Sequence, residues 1–345
     1  MEPERNNKTS ISTLGEFGLI DHLTQNIKHV NQSTITGVGD DAAVLSYNKK
    51  EILLTTDLLL EGVHFNLVYT PLKHLGYKSV VVNLSDIYAM NGQPKQITVS
   101  LGISSRFHLE DLEELYEGIL LACKNYGVDL VGGDTSSSMT GLTISITAIG
   151  EAEKDKVVYR NNAKVNDLIC VSGDLGAAYL GLQLLERERE LFDNKTDVKP
   201  QLTGFEYIIG RQLKPEARKD IIKSLKENAI VPTSMIDISD GLSSDIMHIT
   251  KNSACGCQLY SEKIPLVEES IKMAEEFNID PLTAALNGGE DYELLFTTDI
   301  HDFEKIKKLK NVHVIGHITE PGSGNILITP DGNSITLKAQ GWKHQ

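Results

Sequence analysis

Short apolar segments alternate with longer helical segments through the first 150 residues, and this alternation limits the chain to an α/β fold. The segments EILLTTDLLL, ITVSLGI, VDLVGGD and LTISITAIGEA have the length and apolar content of strands. The segments PLKHLGYKSVVVNLSDIYAM and LEDLEELYEGILLACKNYG have the apolar periodicity of helices. Pro71 near the start of the first helix and Gly127 at the end of the second are typical helix boundaries. The pattern therefore predicts an α+β sandwich, in which helices cover sheets.

The length of the chain predicts two domains. A chain of 345 residues exceeds what one hydrophobic core usually supports. The sequence becomes charged and turn-rich near residue 150, so we place the domains at residues 1–150 and 151–345. In the second domain, strands are predicted at DLICVSG, SMIDISDG, GCQLY, DYELLFTT, VHVIGHIT and GNILITP. Helices in this domain are predicted around residues 175–190, 203–212 and 215–228. Near the N-terminus, in the first domain, a helix is predicted at the capping box of Thr13 and Glu16.

Charge and hydropathy restrict the partners. The net charge of −15, from 48 acidic and 33 basic residues, disfavours a nucleic-acid partner through long-range repulsion. No apolar stretch approaches the roughly 18 residues of a membrane span. The N-terminal segment MEPERNNKTSIST lacks the apolar region of a secretory signal, and the four cysteines indicate free thiols. We therefore expect a cytoplasmic protein without a nucleic-acid or membrane partner.

Acidic residues stand repeatedly at the ends of the apolar segments. In GVGDDAAVL, Asp40 and Asp41 stand side by side where a strand enters the core, although a buried carboxylate is costly without a positive partner. The placement recurs at Asp57, Asp86, Asp134, Asp174, Asp237, Asp240, Glu290 and Asp291. One such acid also fits a helix cap or a turn, but ligand clefts of α/β sheets open at strand ends. Clustered oxygen ligands without paired His or Cys suit Mg²⁺, with Ca²⁺ and Mn²⁺ as alternatives, rather than zinc. A cluster on several segments predicts several such ions and a phosphate-rich substrate.

Two other nucleotide-binding patterns are excluded. GVGDDA has the G-x-G-x-x-A spacing of dinucleotide-binding folds, but acids directly after the second glycine would repel a pyrophosphate. LGYKS is similar to the end of a P-loop, yet Pro71 occupies the position of the required upstream glycine. Any nucleotide would therefore bind through metal ions rather than through a glycine-rich loop.

The motifs together resemble those of the thiamine-monophosphate kinase family. The matching segments are GVGDDAAV, TTDLLLEGVHF, VVNLSDIYAMNGQP, VGGDTSS, MIDISDGLSSD and GGEDYELLF, in that family's order and over nearly the whole chain. The resemblance implies a two-domain fold like that of aminoimidazole ribonucleotide synthetase, with an N-terminal domain that dimerises and a C-terminal α/β domain. It also implies a homodimer that binds ATP in a cleft between the domains through several Mg²⁺ ions.

The resemblance further implies roles for individual residues. The implied metal ligands are Asp41, Thr55, Thr56, Asp57, Asp86, Asp134, Asp237 and Asp240. The implied ATP-binding residues are Gly133, Asp134, Arg160 and Ser239. The implied contacts to thiamine monophosphate are His64, Glu290 and Trp342. No residue is expected to act as base or nucleophile, and Asp57, Asp86 and Asp240 are expected to assist through metal ions.

The implied reaction transfers the γ-phosphate of ATP directly to the phosphate of thiamine monophosphate, giving thiamine diphosphate and ADP. A phosphate monoester has a second pKa of about 6, so the acceptor is already dianionic at pH 7 and needs no general base. Glu290 is expected to meet the aminopyrimidine or the cationic thiazolium ring. The alternatives are another ATP-dependent synthetase of the same superfamily, a metal-dependent phosphohydrolase and a non-catalytic Mg²⁺- or nucleotide-binding regulator.

Overall fold

The computed structural model describes residues 34–36, 40–41, 43–47, 50–194 and 201–339. The helix predicted at Thr13 and Glu16 and the candidate substrate residue Trp342 lie outside the described residues. Within the described helices, none is both long enough and apolar enough to cross a bilayer.

The first half of the described chain forms a six-stranded sheet in the order β1-β2-β3-β6-β4-β5. The strands are β1 (Thr34–Thr36), β2 (Ala43–Tyr47), β3 (Lys50–Leu60), β4 (Gln93–Ile103), β5 (Asp129–Ser137) and β6 (Thr143–Glu153). Two helices belong to this half, α1 (Leu72–Ala89) and α2 (Leu109–Tyr126). β4 and β5 pair in parallel because α2 provides the crossover between them, whereas the other pairs are antiparallel.

The predicted boundaries of α2 are confirmed. The Asp111 side chain accepts a hydrogen bond from the backbone N–H of His108, at 2.8 Å, at the start of the helix. Gly127 ends the helix with a φ of 70°, the left-handed conformation that glycine adopts most readily.

The second half forms a sheet whose described strands follow the order β13-β12-β9-β11-β7-β10-β8. The strands are β7 (Leu168–Ser172), β8 (Ser234–Asp237), β9 (Gly256–Tyr260), β10 (Leu294–Thr298), β11 (Val312–Thr319), β12 (Asn325–Ile328) and β13 (Ser334–Thr336). The helices are α3 (Ala177–Asn194), α4 (Glu206–Leu213), α5 (Lys219–Glu227), α6 (Leu242–Ser253), α7 (Glu268–Glu276), α8 (Pro281–Asn287) and α9 (Phe303–Ile306). The α/β architecture with two sheets is therefore the one that the sequence predicts, and the domain boundary near residue 150 stays a prediction.

Helix α1 lies between the two halves. Its periodic sequence is typical of a helix with one buried face, but every residue from 75 to 89 except Asp86 is buried. The first sheet, α2 and strand β8 of the second sheet all pack against it, so apolar residues are needed on nearly all sides. Because α1 contacts both sheets, its polar side chains can meet residues from either half of the chain.

Candidate active site

Three carboxylates from distant parts of the sequence converge beside α1. Asp41 precedes β2, Asp86 lies in α1, and Asp237 is the last residue of β8. One carboxylate oxygen from each of the three lies within 4.8 Å of those from the other two. We call these three residues the acid triad, and both halves of the chain contribute to it.

The acid triad is electrostatically unfavourable without a cation. Burial, together with the charges of Asp57 and Asp237, raises the pKa of Asp86 well above its usual range. Burial and the charge of Asp41 raise the pKa of Asp237 to about 8, and burial raises that of Asp57 to about 6. Closely spaced carboxylate oxygens are hard ligands, so the donor set fits Mg²⁺.

Two hydroxyl groups orient the acid triad. Thr55 Oγ1 donates a hydrogen bond to Asp86 Oδ2 at 2.5 Å, and Ser85 Oγ donates one to Asp237 Oδ2 at 2.6 Å. Each hydroxyl holds one carboxylate oxygen and thereby helps to fix the direction of the other.

Arg160 is the positive partner of the two neighbouring aspartates. Its guanidinium pairs with Asp41, with Nε 3.3 Å from Oδ2, and lies 3.6 Å from Asp40 Oδ1. The backbone N–H of Arg160 also donates to Asp40 Oδ2 at 3.2 Å. Burial and the charge of Asp41 nevertheless raise the pKa of Asp40 to about 7, because the arginine compensates only in part. The structure thus brings the predicted ATP-binding residue Arg160 to the edge of the acid triad.

The alternation of β3 separates the predicted ligands Thr55, Thr56 and Asp57. Successive side chains of a strand point to opposite faces, so Thr55 and Asp57 share the face that α1 covers. Thr56 points the other way, and its Oγ1 donates to the Ile146 carbonyl at 3.0 Å. The structure therefore does not bring the Thr56 hydroxyl to the acid triad.

Gly133 and Asp134 lie in the edge strand β5, away from the acid triad. Asp57 pairs with Ile146 in β6, and β4 and β5 follow, so Asp134 is three strands away from β3. Strands are spaced about 4.8 Å apart, which corresponds to about 14 Å across the sheet. The register also places Asp134 in a row with Leu58, on the face opposite to Asp57. Within one chain these two predicted residues do not join the others, and their roles stay predictions.

A cavity of about 860 Å³ opens between the two halves of the chain. Its lining includes His64, Lys78, Gln212, Ser239, Asp240 and Glu290. The predicted substrate residues His64 and Glu290 therefore share one space with the predicted ATP-binding residue Ser239.

Tyr292 connects this cavity with the acid triad. Its side chain lines the cavity and is largely buried. Burial, followed by the charges of Glu290, Asp57, Asp237 and Asp86, raises the pKa of its hydroxyl well above the usual range. Carboxylates of the cavity wall and of the acid triad both act on this tyrosine. Asp237 of the acid triad also stands close before Ser239 of the cavity lining in the sequence, so the acids lie next to the cavity.

Two turns that pack together build the wall of the cavity. Gly289 has a φ of 73°, and a Cβ at this position would lie 2.5 Å from the Ser239 carbonyl oxygen. The backbone N–H of Glu290 donates to the same carbonyl at 2.8 Å, and Glu290 itself has a φ of 57°. A glycine is required for this close approach, which holds Glu290 beside Ser239 and Asp240.

The predicted metal ligand Asp240 belongs to a second group of acids. Its carboxylate lies within 4.8 Å of ligand atoms of Asp245 and His248. Asp245 accepts hydrogen bonds from the backbone N–H groups of Gly241, at 3.1 Å, and Asp240, at 3.3 Å. Sequence reasoning missed Asp245 and His248, although the spacing in SDGLSSDIMH places both on the first turns of one helix.

Two other residues of the site were also missed from the sequence. Lys78 Nζ lies 2.9 Å from Glu290 Oε1, and Gln212 Nε2 donates to Glu290 Oε2 at 2.8 Å. A lysine or glutamine in a helix normally indicates a solvated surface, so nothing local in the sequence distinguished these two.

Comparison with known proteins places this geometry in context. Residues 39–152 match the family described as AIR synthase related protein, N-terminal domain. A thiamine-monophosphate kinase of Aquifex aeolicus is 38% identical over 335 residues, which cover 97% of this chain and 99% of that protein. A thiamine-monophosphate kinase of Bacillus subtilis is 33% identical, covering 96% of this chain and 99% of that protein.

A solved structure described as AaThiL complexed with AMPPCP and TMP has the same fold. It superposes with a TM-score of 0.83 at 35% sequence identity and covers 98% of this chain and 100% of that chain. The similarity therefore extends over both halves and over the cavity between them.

Proposed function

The chain belongs to the thiamine-monophosphate kinase family, and from this premise we propose that it transfers the γ-phosphate of ATP directly to the phosphate of thiamine monophosphate. The products are thiamine diphosphate and ADP. The observation that carries the proposal is that the acid triad lies next to a cavity whose lining includes Glu290, a carboxyl with a lowered pKa. A similar protein is described as binding AMPPCP, an ATP analogue, together with TMP, which supports the same pair of substrates here.

The side chains of the site suit a positioning mechanism. The acceptor phosphate is already an anion at neutral pH, so its oxygen attacks without a general base. Glu290 offers a negative charge to the cationic end of the acceptor, and His64 lies near enough to help lower the pKa of Glu290. We propose that these contacts direct the acceptor phosphate toward the acid triad, where in-line transfer depends on alignment and charge neutralisation.

We propose Mg²⁺ as the metal of the acid triad. The carboxylates of Asp41, Asp86 and Asp237, with Asp57 and Thr55 beside them, would hold it, and Asp240 would hold a further ion. When bound there, the cations supply the positive charge that reduces repulsion between the two phosphorylated substrates. Arg160 adds a fixed positive charge at the same edge of the site.

The assay that tests the function measures ADP release from Mg-ATP with and without thiamine monophosphate. ADP release is expected to depend on the acceptor, and thiamine diphosphate should form in equal amount. Equal ADP release without the acceptor would instead indicate a phosphohydrolase. Metal-dependent ATP binding without turnover would indicate a regulator and would overturn the proposal.

We also propose that the protein is a homodimer in which a second copy completes the site. The face of the first sheet away from α1 is open, with Leu58 52% exposed and Val131 58% exposed. Asp134 lies on the same open side, although it is a predicted ligand and is separated from Asp57 within one chain. A second copy packed on this face would bring its own Asp134 toward Thr56, the predicted ligand whose side chain points to this face, next to Asp57 in β3.

Mixing two inactive variants tests this arrangement. Asp57→Asn and Asp134→Asn are each expected to be inactive, whereas their co-expressed mixture should recover up to about a quarter of wild-type activity. The recovery arises because half of the dimers are mixed, and each mixed dimer has one intact site. In the matched control, wild type is co-expressed with the Asp57→Asn/Asp134→Asn double variant. If each site takes its two aspartates from different chains, the mixed dimers of this control contain no intact site. A mixture that stays inactive would show that both aspartates serve one site from the same chain.

The cytoplasm is the proposed location. Cys123, Cys170, Cys255 and Cys257 are free thiols, which persist in a reducing compartment. The proposed contact of Trp342 with thiamine monophosphate lies outside the described residues.

A further inference from the structure

Lys78 is a buried cation at the junction of the two halves. Its side chain is 5% exposed, in the part of α1 that faces the cavity. Its ammonium lies 2.9 Å from Glu290 Oε1 and donates to the Gln212 backbone carbonyl at 3.0 Å. A buried ammonium is retained only where such partners compensate for the loss of water.

Glu290 is held at both carboxylate oxygens. Lys78 occupies Oε1, and Gln212 Nε2 donates to Oε2 at 2.8 Å. The backbone of Glu290 has a φ of 57°, a left-handed conformation that is unfavourable for a residue with a side chain. The carboxylate is still 32% exposed, so it remains open to a ligand in the cavity.

The charge on Glu290 depends on Lys78. Burial alone would raise the pKa of this carboxyl, but the charge of Lys78 and hydrogen bonds from Lys78 and Gln212 outweigh it and lower the pKa. Lys78 therefore favours the ionised form of Glu290, together with Gln212.

The helix that carries Gln212 is itself fixed to the same turn. The neighbouring Arg211 donates to the carbonyls of Asp174 and Asp291, at 3.1 and 3.3 Å, and pairs with Glu293 at 3.1 Å. Gln212 can thus hold the Glu290 carboxylate from a rigid position, while Lys78 reaches it from the other half.

We propose that Lys78 is a positioning residue of the acceptor site, which holds the Glu290 carboxylate, charged and oriented, for the cationic ring of the acceptor. The inference rests on the proposed function, and it assigns Lys78 to recognition of the acceptor rather than to recognition of ATP. Replacing Lys78 must therefore weaken the binding of thiamine monophosphate and leave that of ATP unchanged.

Steady-state kinetics of Lys78→Met tests the inference. The KM for thiamine monophosphate is expected to rise about tenfold to a hundredfold, while the KM for ATP stays within about twofold. The matched control is Lys73→Met, which removes an exposed lysine of the same helix that pairs with Glu117 at 2.9 Å. This control is expected to match wild type in both KM values.

Rescue by a conservative variant separates positioning from a structural role. Lys78→Arg, which retains the charge, should restore most of the affinity.

Gln212→Met provides a second variant in case Lys78→Met does not fold. Gln212 Oε1 has no hydrogen-bond partner among the described residues, so the side-chain hydrogen bond that this variant removes is the one to Glu290 Oε2. This variant should also raise the KM for thiamine monophosphate without changing that for ATP. In a Glu290→Gln background, Lys78→Met should add no further increase, because the carboxylate through which it acts is absent.

The outcomes distinguish this inference from the proposed function. If wild type forms no thiamine diphosphate, both are wrong. If wild type is active and Lys78→Met keeps its KM for thiamine monophosphate, or raises both KM values alike, the inference alone is wrong. If the Lys78→Met effect persists undiminished in the Glu290→Gln background, Lys78 does not act through Glu290.

Discussion

Asparagine in place of Asp86 is expected to lower kcat by at least about a thousandfold, equivalent to about 4 kcal/mol. In the absence of divalent cations the same change is expected to stabilise the fold by about 1 kcal/mol. Asp86 is the centre of a crowded group in which Asp57 and Asp237 repel it and burial disfavours its charge. An asparagine keeps the shape and can still accept the hydrogen bond from Thr55, but it removes the repulsion and one metal ligand.

The pH dependence of stability reports the same repulsion. Burial raises the pKa of Asp57 from 3.8 to about 6 and that of Asp237 from 3.8 to about 8. Between the unfolded and the folded pKa of each aspartate, the folded protein binds more protons than the unfolded chain. These two groups therefore lower the stability as pH rises from about 4 to about 8. The free energy of unfolding in EDTA should decrease less between about pH 6 and about pH 8.5 for Asp86→Asn than for wild type.

Added Mg²⁺ should reverse the order of stability. Wild type gains stability from a cation that binds only the folded state, and Asp86→Asn gains little. Asp155→Asn, which removes an exposed carboxylate outside the site, is the matched control and should behave as wild type. An Asp86→Asn protein that is less stable than wild type in EDTA, or that retains its response to Mg²⁺, would contradict this account of the acid triad.

Elements with strong local patterns could be predicted from the sequence. The strands at β3, β4 and β6 and the helices α1 and α2 follow from long apolar or periodic segments, and Gly127 ends α2 as expected. Helices α6 and α7 were missed because their sequences, LSSDIMHITKNS and EESIKMAEE, are mostly polar. Their few apolar residues become a buried face only once the second sheet is present.

The composition of the site could be predicted better than its geometry. Acids that interrupt apolar segments identified the acid triad, although Asp86 lies within helix α1 and not at the end of a strand. The sequence could not show that Asp134 lies three strands from Asp57, since that separation follows from the strand order β3-β6-β4-β5. Lys78 was missed for a related reason, because its burial depends on contacts between α1 and the second half of the chain.

Alanine in place of Gly118 is expected to destabilise the protein by about 3 kcal/mol, although alanine favours a helix by about 1 kcal/mol. A Cβ at Gly118 would lie 1.9 Å from the Lys73 carbonyl oxygen and 2.8 Å from the Tyr77 backbone nitrogen. Across the same contact, a Cβ at Gly76 would lie 2.0 Å from the Leu115 carbonyl oxygen. The backbones of α1 and α2 touch at this crossing, so an added methyl group has no flexible side chain to displace.

The helices can accommodate the methyl group only by moving apart, and this movement would reach the active site. Helix α1 carries Lys78, Ser85 and Asp86, so a shift of about 1 Å misaligns the acid triad and should lower kcat by about tenfold to a hundredfold. Gly210→Ala is the matched control, because this helical glycine of α4 has no atom within 4 Å of an added Cβ. It should be more stable than wild type by about 0.5 to 1 kcal/mol and fully active. Equilibrium unfolding in urea should show a lower free energy of unfolding for Gly118→Ala and a higher one for Gly210→Ala than for wild type. A Gly118→Ala protein as stable as wild type would show that the two helices can separate without cost.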